Sequence, residues 1–194
     1  TLHHRTPLKA VQYSAQLLAR RFYYASAGLM SDPYKIINKA IEIDPLNDAA
    51  FMNRASTFKE LKQFDQALAS YDRALSIGKR PVEAGIFRAE TLLAMKKVKD
   101  AMATCTAVLQ VEPNSVPALT LLGNCMAALG DADTAIGLHS RALELSPHYE
   151  AAISAKIFAM DFSAKSHFGA QQEMRKTWWR CRLSWMRRKR LLAY

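Results

Sequence analysis

Apolar and polar positions along this chain follow a helical rhythm, and the rhythm itself repeats. Phe51, Ala55, Phe58 and Leu61 are spaced by four, three and three residues, which places them on one face of a helix. Phe64, Ala67, Leu68, Tyr71, Ala74 and Leu75 do the same for a second helix. The intervening Lys62-Gln63 is a short polar break, as are Lys96-Lys97 and Gly130-Asp131, and breaks this short force the flanking helices to lie antiparallel. The segments AIEIDP (40–45), ALSIGK (74–79), VLQVEP (108–113) and ALELSP (142–147) start 34 residues apart. Side-chain sizes keep the same step. Ala55, Ala89 and Gly123 are small, as are Ala67, Ala101 and Ala135; Phe58, Leu92 and Met126 are large, as are Leu61, Met95 and Leu129, and Leu75, Leu109 and Leu143. Small residues are needed where two helix backbones cross closely, and large ones where a face is buried. Proline at 45, 113 and 147 ends the second helix of each pair, because it cannot continue the hydrogen bonding and disfavours α geometry before it. At the equivalent step Lys79 stands instead, with Gly78 and Pro81 supplying the break.

This pattern resembles the tetratricopeptide repeat. The resemblance implies an all-α solenoid of antiparallel helix pairs in a right-handed superhelix, each pair burying its apolar face on its neighbours. It predicts repeats over 48–81, 82–115 and 116–149, preceded by degenerate helices or a first repeat within 1–47. In that leading part Pro33 occupies the place of Ala67, Ala101 and Ala135, and only KAIEIDP is in phase. Residues 1–31 lack acids and carry Arg5, Lys9, Arg20 and Arg21, weakly like an organelle transit peptide; a degenerate first helix is the preferred reading.

Residues 150–179 start another helix without a repeat partner. They predict a capping helix through about Met160, an aromatic link with Phe162 and Phe168, and a polar helix ending at Trp178-Trp179. Phe158, Ala159, Asp161, Phe162, Arg175, Trp178 and Trp179 resemble the junction of bacterial SPINDLY-like proteins, relatives of the O-linked N-acetylglucosamine transferases. That family would continue with a sugar-nucleotide-binding catalytic region, which the last fifteen residues do not resemble. No Gly-rich phosphate loop, paired carboxylates or nucleophile–base constellation stands out in the sequence, so the expectation is a non-enzyme without catalytic residues, cofactor or small-molecule substrate. His139 shares its repeat position with Tyr71 and Cys105, which points to packing rather than chemistry.

The net charge of +10 invites a nucleic-acid reading until it is localised. Eight of the 27 Lys/Arg fall within 174–194 with no acid among them, and the other 19 nearly balance the 17 Asp/Glu. Positive charge is thus concentrated in the tail, 180–194, with Arg182, Arg187, Arg188, Lys189 and Arg190. On a helix Trp178, Cys181 and Trp185 would share a face, with basic residues elsewhere. The tail therefore reads as a hook for an anionic membrane or nucleic acid, as the remnant of a truncated or frame-shifted reading frame, or as an ordinary chain end. Cys105, Cys125 and Cys181 are far apart in sequence and form no CxxC or Cys/His cluster, which argues against a metal site or disulfide framework and suits a reducing cytoplasm.

In such a stack the first helix of each pair lines the concave face. The residues expected there are Asn53, Ser56 and Lys59, then Phe87 and Glu90, then Leu121 and Asn124. The transferase resemblance implies an asparagine ladder that hydrogen-bonds an extended peptide, and Asn53 fits it. Phe87 and Leu121, at the equivalent sites, break it. Clamping of a terminal carboxylate would need Lys or Arg on this face, for which Lys59 is the candidate. A mixed groove for a partly apolar segment or helix of a protein partner fits these residues better, with packing of Phe87 and Leu121 between helices as the alternative.

Overall fold

The computed structural model describes residues 33–163, 169, 171–176 and 178–179, with side chains described from Ile37 onward. The fold is all-α. Among the described residues the helices are, in order, α1 (Pro33–Ile43), α2 (Asp48–Glu60), α3 (Phe64–Ile77), α4 (Pro81–Ala94), α5 (Val98–Val111), α6 (Val116–Ala128), α7 (Ala132–Leu145) and α8 (Glu150–Phe162), with further helical residues at 169, 171–176 and 178–179. The chain divides into two compact units, Thr1–Met95 and Lys96–Tyr194.

Local chemistry sets the helix ends. Asn47 caps α2, its side chain accepting a hydrogen bond from the Ala50 amide at 3.1 Å, and Asp131 caps α7 by accepting from Thr134 at 3.1 Å. Pro81 opens α4, where its missing amide hydrogen is not needed. Gly78 closes α3 in the left-handed region, with φ 74°. Lys79, standing where other units have proline, reaches back to the Leu46 carbonyl at 2.8 Å. Pro33 is the first residue of α1, whereas Ala67 lies a turn inside α3. Proline fits the first turn of a helix, where its missing amide hydrogen is not needed.

The short polar breaks turn through one left-handed residue each: Lys62 at φ 62°, Lys96 at φ 63° and Gly130 at φ 89°, all 34 residues apart. Leu61 differs from expectation. Its spacing puts it on the apolar face of α2, but the helix ends at Glu60 and Leu61 is 60% exposed. The turn that follows carries its side chain outward, and Leu129, at the same position before Gly130, is 50% exposed for the same reason.

In the first unit the core holds Phe51, Met52, Ala55, Phe58, Ala67, Tyr71, Ala74 and Ala84. The small residues at 55 and 67 are wholly buried, as helix crossing requires. Arg80 holds Asp48 from two guanidinium nitrogens at 3.1 and 3.2 Å, and the carboxylate is nearly buried. This fork pushes the Arg80 guanidinium above its ordinary value, chiefly through the hydrogen bond to Asp48. In the second unit Leu119, Ala142 and Ala152 form a core from α6, α7 and α8.

Candidate functional site

In the first unit α2 and α4 lie on either side of α3's N-terminus, and their facing residues enclose an open pocket of about 380 Å³. Ser56, Lys59 and Glu60 of α2, Lys62 and Phe64 at the turn into α3, and Phe87, Glu90 and Ala94 of α4 line it. Four of the residues expected on the concave face, Ser56, Lys59, Phe87 and Glu90, therefore meet at one site. Asn53 is half-buried one turn before Ser56 and is not among the lining residues. Leu121 and Asn124 are half-buried on α6, in the other unit.

The back of the pocket is built on Tyr71. Its side chain is fully buried, its ring stacks on Phe87 with centroids 6.2 Å apart, and its hydroxyl lies 3.3 Å from the Ser56 hydroxyl. Burial pushes the Tyr71 phenol above its ordinary value, against the opposing influence of the Ser56 hydrogen bond. The phenol stays neutral and holds Phe87 and Ser56 at fixed positions. At the mouth Lys59 Nζ donates to Glu90 at 2.8 Å across the gap between α2 and α4, with both side chains about one-third exposed.

The result is an apolar recess between Phe64 and Phe87 with a self-neutralised ion pair at its rim. Such a surface can bury an aliphatic or aromatic side chain and offer hydroxyl, ammonium and carboxylate groups to a backbone beside it. Sequence reasoning named Ser56, Lys59, Phe87 and Glu90 but missed Glu60, Lys62, Phe64 and Ala94. Lys62 and Phe64 were detectable, because a turn immediately after Lys59 must bring them to the same end of α2.

The junction-like residues also meet, in the second unit. Arg175 pairs with Asp161 at 3.1 Å, Trp178 Nε1 donates to the Ser154 hydroxyl at 2.9 Å, and Gln171 donates to the Met160 carbonyl at 3.0 Å. Phe158 and Phe162 contact each other and are exposed by 58% and 70%. Arg182, Arg187, Arg188, Lys189 and Arg190 lie outside the described residues, as do Phe168 and Cys181. Among the described residues no group of three or more His, Cys, Asp or Glu is placed to hold a metal ion, and no helix is long and apolar enough to cross a membrane.

The chain belongs to the tetratricopeptide repeat family: that family's model matches residues 58–125 and again 92–157, together just over half of the chain. A curated relative is RNA polymerase II-associated protein 3 of Rattus norvegicus, 27% identical over 95 residues, or 49% of this chain and 14% of that protein. The chain thus spans about a seventh of the length of the curated relative it matches. Among solved structures, PilF of Pseudomonas aeruginosa superposes with a TM-score of 0.77 at 15% identity, covering 89% of this chain and 78% of that one. The first such domain of Spaghetti (RPAP3), solved with the HSP90 peptide SRMEEVD, gives 0.56 at 18% identity over 61% and 94%. At these identities the likeness is one of fold.

Proposed function

We infer that this chain is a protein-interaction module, and that the pocket between α2 and α4 receives a partner segment through an apolar anchor side chain. The observation that carries this reading is the recess itself: Phe64 and Phe87 line one opening, with Phe87 braced from behind by Tyr71. Binding of a peptide by the Spaghetti (RPAP3) domain supports a peptide partner. A strongly acidic segment is less well served here, because Lys59 is already paired with Glu90. Leu121 and Asn124, on α6 of the second unit, are proposed as partner-contacting residues of that unit. The three-repeat organisation at 48–81, 82–115 and 116–149 belongs to the same reading, as does a non-catalytic role in a reducing, cytoplasmic setting.

A finer relation, to the repeat region and junction of SPINDLY-like transferases, is supported by the contacts among the junction residues. Asp161 and Arg175 pair, and Phe158 with Phe162 and Trp178 with Trp179 form two aromatic couples. On this reading 150–179 is a capping helix with its linker.

The test is selection of peptides from a random phage-displayed library on the full chain, followed by fluorescence polarisation with the winners. Phe87→Lys should weaken the selected peptides at least tenfold, and Phe64→Lys similarly. Unchanged affinity in both variants would place binding elsewhere.

A further inference from the structure

At Tyr71, two repeats before His139, the tip of the buried side chain is answered by the Ser56 hydroxyl at 3.3 Å. His139 is as deeply buried as Tyr71, yet among the described residues neither of its ring nitrogens has a hydrogen-bond partner. Asn124 stands in the place of Ser56 and makes no bond to the ring. The imidazole fits only because residue 123 is glycine, its ring atoms lying 2.5 to 2.9 Å from where a β-carbon would stand. A glycine inside a helix and an orphaned imidazole inside a core each cost stability. Here the two occur as a pair, and departures from local rules collect at sites with a task.

We propose that His139 is an acid-triggered release for the second unit: a proton on its ring unseats α7 from α6 and α8 while the first unit stays folded. This does not depend on the peptide-binding reading.

The surroundings fix the direction of the effect. α7 packs on α6 and on α8. α6 carries no Asp, Glu, Lys, Arg or His, and its one titratable side chain is the buried Cys125. α8 brings Glu150, Lys156 and Asp161; the first and last are exposed, and Lys156, which acts on the ring, is itself positive. Beyond α8, Arg175 and Lys176 are engaged by Asp161 and Glu173. On α7 itself Asp133, Arg141 and Glu144 are exposed. A protonated ring therefore gains no buried carboxylate to answer it. Burial, with the smaller push from Lys156, lowers the imidazole from 6.5 to about 4 in the closed unit, so an open unit binds the proton more tightly and acid favours opening. Between pH 7.5 and pH 5.0 these two values multiply the ratio of open to closed by about thirtyfold. The first unit has no such trigger, because its described residues include no histidine and burial keeps the Tyr71 phenol neutral. Repeat arrays open unit by unit, since each repeat is held mainly by its neighbours. Opening uncovers Leu119, Ala142 and Ala152 and removes the α6 surface that carries Leu121 and Asn124, while the pocket between α2 and α4 persists.

The experiment is hydrogen–deuterium exchange of the full chain at pH 7.5 and pH 5.0, read by mass spectrometry and corrected for the intrinsic rate at each pH. Protection of α6, α7 and α8 should fall by about thirtyfold at pH 5.0, and that of α2, α3 and α4 by less than about threefold. His148→Gln/His167→Gln, which leaves His139 as the one histidine within 96–194, should behave as wild type. Gly123→Ala/His139→Tyr, which installs the residues found at Ala55 and Tyr71, and His139→Leu should each abolish the difference between the units. Equal loss of protection in both units, or no loss in α6, α7 and α8, would overturn the proposal. So would loss of the effect in His148→Gln/His167→Gln, or its persistence in either folded His139 variant. The wild type and the His148→Gln/His167→Gln protein keep the core unchanged, so they decide the matter even where the His139 variants fold poorly.

Discussion

The imidazole of His139 occupies the space where a β-carbon on Gly123 would stand: from that point its ring atoms are 2.5, 2.8 and 2.9 Å away. The two residues are a matched pair across α6 and α7. The same positions are Ala55 with Tyr71 and Ala89 with Cys105 in the other repeats, so only the unit with histidine has given up its last side-chain carbon. Gly123→Ala should therefore destabilise the protein by about 1–3 kcal/mol, although alanine favours a helix over glycine. Combined with His139→Ala, it should cost far less than the sum of the two single changes. Denaturant melts of the four proteins check this, and additive effects would show that the ring does not fill that space.

His139 should also make stability depend on pH. It is wholly buried, neither ring nitrogen has a hydrogen-bond partner among the described residues, and burial, with a smaller push from Lys156, lowers its pKa from 6.5 to about 4. The unfolded chain then takes up a proton before the folded chain does. Stability is full well above pH 6.5 and falls as the pH drops toward 4, by about 2.5 kcal/mol at pH 4.5. His139→Leu should flatten that part of the profile. An identical slope in wild type and variant would assign the dependence to other groups.

Lysine in a left-handed turn carries steric strain that glycine avoids. Lys62→Gly and Lys96→Gly should each raise stability by about 0.5–1 kcal/mol, and Gly130→Ala should lower it by a similar amount. Thermal unfolding of the three variants gives the signs directly.

Breaking the Arg80–Asp48 fork should be the most damaging single change at the surface of the first unit. Arg80→Ala leaves a nearly buried carboxylate without its guanidinium and is expected to cost about 2–3 kcal/mol. Asp48→Asn, which retains part of the hydrogen bonding, should cost less. Equal losses in the two variants would mean that stranding the Asp48 carboxylate adds no penalty of its own.

How much of this is legible in the sequence follows from what each feature depends on. The helix pairs are readable because period, breaks and terminators all agree, and an element such as α3 depends on residues within its own fourteen. Ser56, Lys59, Phe87 and Glu90 can be placed on facing helices because they differ by whole repeats or whole turns. Their bonding cannot. That Lys59 reaches Glu90, 31 residues away, is settled by side-chain conformers and not by spacing. Leu61 misleads because periodicity extends one residue past the point where backbone geometry ends the helix. His139 reads correctly as packing, yet nothing in the pattern announces that its nitrogens lack partners. Gly123 offers the clue, as the one glycine in a ladder of alanines.

The pairing of Gly123 with His139, where Ala55 and Tyr71 stand two repeats earlier, also bears on how the gene can be rearranged. An array whose units share a backbone plan invites recombination that swaps one unit's second helix for another's. Here such an exchange would bring histidine against alanine, or tyrosine against glycine, leaving overlap in one product and a void in the other. Duplication of a whole helix pair avoids both faults, so that is the step by which this array could lengthen without repair.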